Sequence, residues 1–86
     1  MIKGRLVVWE ALSRGTAGAI TVTAPAANAP KQGDLVLNIA NFSDGGADVT
    51  TYFETTITVA GQIQQTGTVA SLIEGGNIKI YAWKKR

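Results

Sequence analysis

The 86-residue chain contains no cysteine and no histidine, and only one methionine. Without cysteine there is no disulfide framework and no thiolate metal site. Without histidine there is no imidazole base, no zinc cluster of the usual kind and no side chain that titrates near neutrality without being perturbed. Charge is also sparse, at 16% of residues. No apolar run approaches the roughly 20 residues of a membrane span. Leu6 to Trp9 is broken by Glu10 and is too short for a secretion-signal core.

What remains offers little for catalysis. Ser13, Ser43 and Ser71 are the only serines, and none lies in a Gly-x-Ser-x-Gly elbow. Gly75-Gly76-Asn77 lacks the ending of a phosphate loop. Asp44 and Asp48 flank a glycine turn, where aspartate is an ordinary turn former. A calcium site draws on about six to eight oxygens. No enzyme activity, metal or cofactor is expected, and no catalytic residue is assigned. The Asn41-Phe42-Ser43 triplet matches a glycosylation acceptor, and without a secretion signal this is read as chance.

Glycine, alanine and threonine are abundant, and the chain reads as short strands separated by Gly and Pro punctuation. Leu6 to Trp9 is a β-prone run. Ile20 and Val22 alternate with Thr21 and Thr23. Asp34 to Ala40 is the best strand, with Leu35, Leu37 and Ile39 on one face because side chains alternate with period 2. Val49 to Ala60 is rich in residues that suit a pleated surface, with Ile57 and Val59 on one side and Thr56 and Thr58 on the other. Gln62 to Thr68 is a polar strand around Ile63, continued by Val69 to Ile73. Glu74-Gly75-Gly76-Asn77 predicts a hairpin turn into a last strand, with Ile78 and Ile80 inward and Lys79 and Tyr81 outward. Glycines 45 and 46 predict a turn that needs positive φ. The expected fold is all-β, a small antiparallel sandwich or barrel-like domain of six to seven short strands. It is expected to be one domain over residues 1–86, with an extended N-terminal arm over 1–18 and a Pro-containing loop over 24–33.

The order of the charges says more than their sum of +2. Residues 1–33 hold Lys3, Arg5, Arg14 and Lys31 against Glu10, a net +3. Residues 34–78 hold only acids, Asp34, Asp44, Asp48, Glu54 and Glu74, a net −5. Residues 79–86 hold Lys79, Lys84, Lys85 and Arg86, a net +4. Basic ends around an acidic middle suit oriented, salt-sensitive association. A basic tail is also compatible with nucleic-acid phosphates. The acidic middle opposes that reading, and the six aromatics are expected to serve the core, so nucleic acid is not the expected partner. The uncharged Gln62-Ile63-Gln64-Gln65-Thr66 surface suits packing between copies, because Gln and Thr hydrogen-bond across strands.

With the Leu35–Ile39 strand, the Asn41–Gly46 turn and the Thr56 to Gln65 run, the chain resembles small β-rich structural proteins of tailed bacteriophages, of the capsid decoration or cement type. The resemblance implies a virion location and a homotrimer that binds the major capsid protein or another virion protein. It implies a β domain that projects outward and terminal segments that grip the shell. On that expectation Lys3, Arg5, Lys84, Lys85 and Arg86 contact the shell, and Leu6, Val8, Trp9 and Trp83 pack against neighbouring copies. The alternative is a β-fold binding module for nucleic acid or carbohydrate.

Overall fold

The computed structural model describes residues 3–86. The fold is all-β, with six strands in two antiparallel sheets among the described residues. Strands β1 (Gly4–Leu12), β6 (Asn77–Lys85), β3 (Leu35–Asn41) and β4 (Ala47–Asp48) lie side by side in that order. Strands β2 (Gly18–Thr21) and β5 (Gln62–Gln65) form the second sheet. Single backbone bridges join the two into a ring. Glu10 bridges Thr23, Phe53 bridges Gln65, and Leu35 bridges Thr56. The first is made by the Thr23 N–H donating to Glu10 O at 3.0 Å, and the last region by Val36 N–H donating to Thr55 O at 2.9 Å. This closure is barrel-like and leaves few bare strand edges.

Alternation dictates the inner face of the long strands. Val7, Trp9 and Ala11 of β1 and Ile78, Ile80 and Ala82 of β6 point inward and are buried. They meet Ile20 and Val22 from the β2 side, Ile63 from β5, and Val36 and Ile39 from β3 in one apolar cluster. Burial of this set is the main favourable term in folding.

Four sequence expectations are corrected. Leu37 is 51% exposed while Ile39 is fully buried, because a bulge between Val36 and Asn38 shifts the pairing of β3 with β6. One extra residue on a strand reverses every later side chain, so Leu35 and Ile39 face opposite ways. Residues 50–60 are not a regular strand. They form a 3-10 turn over Thr50–Tyr52 followed by an irregular segment, with Ile57 buried and Val59 exposed. Val69 to Ile73 is a turn segment, so the glycine turn before β6, with Gly75 at φ 80°, does not join two strands. Residues 4–12 of the expected N-terminal arm are strand β1, paired along their whole length with β6, and residues 1 and 2 of that arm lie outside the described range. The turn at glycines 45 and 46 is as expected, with φ of 63° and 83°.

Candidate interaction surface

Because β1 and β6 run antiparallel, Gly4 stands opposite Lys85 and Leu12 opposite Asn77. The two basic blocks, at opposite ends of the 86-residue sequence, therefore meet at one end of the sheet. Lys3, Arg5, Lys85 and Arg86 are exposed there, and the Arg86 N–H donates to Lys3 O at 3.1 Å. Lys31 is exposed in the adjoining loop.

Part of this basic set turns inward. The loop after β2 crosses the end of the barrel, with one 3-10 turn at Ala26–Asn28. Its backbone carbonyls at three consecutive residues are each captured by a side chain. Arg5 Nη2 donates to Ala27 O at 2.9 Å and to Asn28 Oδ1. Trp9 Nε1 donates to Asn28 O at 2.6 Å, and Lys84 Nζ donates to Ala29 O at 2.6 Å. Lys84 also pairs with Asp34 Oδ2 at 3.0 Å, and both side chains are buried. The Asp34 carboxylate accepts further from the Lys31 N–H at 3.0 Å and the Lys85 N–H at 3.1 Å. Burial alone would raise the Asp34 pKa. The hydrogen bonds from Lys31, Lys84 and Lys85 and the Lys84 charge outweigh it and hold the carboxyl below its ordinary value.

Lys84 and Trp9 are therefore corrected as surface contacts. Lys84 is 4% exposed and Trp9 is fully buried, and both fasten the Pro-containing loop to the sheet. Sequence reading missed this because the parity of a strand's last residues is set only once its register is known. Lys84 lies on the same face as Ala82 and Ile80. The one signal available was period 2 carried past Trp83.

Leu6, Val8 and Trp83 do come together. On the outer face of the four-stranded sheet Leu6 stands opposite Trp83, which stands opposite Leu35, and Val8 stands opposite Tyr81, which stands opposite Asn38. Leu6 is 58% exposed and Leu37 is 51% exposed. Tyr81 and Trp83 are half-buried, and Phe42 is exposed at the far margin with Lys79 Nζ 4.8 Å from its ring centroid. Of the six aromatics, Trp9 and Phe53 are buried in the core and Tyr52 packs against it, while Phe42, Tyr81 and Trp83 do not belong to it. That corrects the expectation that the aromatics serve the core. Singly exposed apolar residues need no explanation, and this set across three strands is a candidate contact surface.

The polar run on β5 also divides. Gln65 is buried, with its Nε2 donating to Arg14 O at 2.9 Å and to Gly67 O at 3.1 Å while Oε1 accepts from the Arg14 N–H at 3.0 Å. It staples two loops and is not available to another copy. Asn41, in the glycosylation-like triplet, is fully buried, and its Nδ2 donates to Ser71 O at 2.9 Å. No group of three or more metal-ligating side chains forms among the described residues, and no helix there is long and apolar enough to cross a membrane. The chain matches no family model, no curated protein and no solved structure.

Proposed function

We propose that this chain is a structural binding protein of the bacteriophage capsid decoration type, which adheres to an acidic shell through the basic end of its β1–β6 sheet. The observation that carries this reading is the convergence of Lys3, Lys85 and Arg86 at one end, where Asp34 is buried and paired with Lys84. Such an end meets an acidic protein surface with a defined orientation and a rate that falls with salt. The resemblance to tailed-phage head proteins supplies the partner, a major capsid protein. It also supplies the arrangement, three copies gathered on the shell with Leu6 and Val8 in contact between them.

The test is adsorption of the purified protein to capsids stripped of accessory proteins, followed by heating. Binding that weakens with salt and raises the temperature at which the capsids open is expected. The charge reversals Lys85→Glu and Arg86→Glu together should abolish it, while a circular dichroism melt stays near that of the parent. Failure to bind at low salt would end this reading.

A further inference from the structure

The outward side chains of the central strand β6, taken in order, are Lys79, Tyr81, Trp83 and Lys85. Two aromatics thus stand side by side between two cations. Alternate residues on a strand lie about 7 Å apart. Asn38, a donor and acceptor, flanks Tyr81 from β3, and Leu6 and Val8 flank Trp83 and Tyr81 from β1. Lys3 and Arg86 carry further positive charge at the Lys85 end of the sheet, on no particular face. Glu10, opposite Lys79, is the sole acid on strands β1, β3 and β6. Asp48, on the bordering strand β4, is turned to Thr50, whose N–H and Oγ1 donate to its carboxylate at 3.0 Å and 2.5 Å.

From this ladder we infer that the outer face of the sheet binds single-stranded nucleic acid, with bases stacked on Tyr81 and Trp83 and phosphates held by Lys79, Lys85 and the cations beyond. Flat aromatic side chains on a sheet, interleaved with cations, recognise π faces joined by regular negative charge. The paired bases of a duplex do not offer their faces to such a platform. Glu10 and Asp48 both stand in the row of Lys79, so the Trp83–Lys85 half of the face carries no acid from strands β1, β3, β4 and β6. A second copy of the chain is the competing occupant, because packing through Leu6 and Val8 would cover the same face.

The experiment is fluorescence anisotropy of a labelled ten-nucleotide oligothymidine titrated with the full chain at low salt, with the oligomeric state followed by analytical ultracentrifugation. Micromolar binding is expected, weakening as salt rises. Trp83→Ala and Tyr81→Ala should each weaken it about tenfold or more, and Trp83→Phe should retain most of it. The phenylalanine variant also guards against misfolding of the alanine ones. Equal binding of a duplex, or alanine variants that bind like the parent, would overturn the inference and leave nonspecific attraction of polyanions. No binding, with the chain already self-associated, would overturn it in favour of a second copy. Capsid adsorption measured on the same Tyr81→Ala and Trp83→Ala proteins separates this inference from the shell-binding proposal, which rests on the basic end and survives its failure.

Discussion

At the scale of single residues, Asp34 and Lys84 do the most to join distant parts of the chain. Lys84 anchors the loop at Ala29 O, and Asp34 caps the backbone of Lys31 and Lys85. Removing one partner of such a pair leaves a buried charge uncompensated, which costs about 3–5 kcal/mol. Asp34→Asn is therefore expected to lower the unfolding free energy by about that much in urea titrations at neutral pH. An apolar replacement of both residues, Asp34→Leu with Lys84→Met, should cost less than Asp34→Leu alone, because no charge is left unpaired, yet still destabilise, because the Lys31 and Lys85 N–H groups and Ala29 O lose their partners. The pH dependence has a definite sign. The folded-state pKa of Asp34 is lowered, so its contribution is present above the unfolded value of about 3.9. It is lost as the pH falls through the folded value. Urea midpoints of the parent should fall below about pH 4 by more than those of Asp34→Asn.

At the scale of the elements, the bulge in β3 decides which side chains reach the core. Leu37 lies outside and Ile39 inside, although the two are separated by the period that should place them together. Leu37→Lys is expected to change stability by no more than about 0.5 kcal/mol, as at other surface positions. Ile39→Ala should cost about 2–5 kcal/mol through lost burial and a cavity. Equal costs at the two positions, measured by denaturant unfolding, would mean that β3 is regular. Element types were legible where the pattern was strong. The alternation in 78–81 and the pairing of Ile20 with Val22 stand as read, and the glycine turns fall where positive φ is needed. The Thr-rich stretch over 50–60 was misread because its residues suit a strand, while Asp48 and Thr50 wind the chain into a 3-10 turn through their side chains.

At the scale of the whole molecule, the Cα radius of gyration is 11.9 Å and the extents are 36 × 21 × 21 Å. A compact chain of this length is expected near 12 Å, so the described residues form one compact body. Small-angle scattering at low concentration should return a radius near that of one compact copy. A value about 1.5-fold larger would report a trimer already formed in solution rather than on a shell. The fastened loop over 24–33 belongs to this scale too. Three side chains from the two terminal strands hold it, so the parts of the sequence richest in cations are also parts of the scaffold.

The sequence by itself determined that the chain is built from short strands and punctuated by glycine. It also showed that the side chains for thiol or imidazole chemistry are missing and that charge is segregated into blocks. These are local properties, set by residue type and by periods of a few residues. Only the tertiary structure decided that the two basic blocks become one end. That depends on an antiparallel pairing between strands at opposite extremes of the chain, which no local pattern encodes. It also decided which cations of that end remain at the surface. Strand register assigns Lys85 to solvent and Lys84 to Asp34, and a shift of one residue would exchange them.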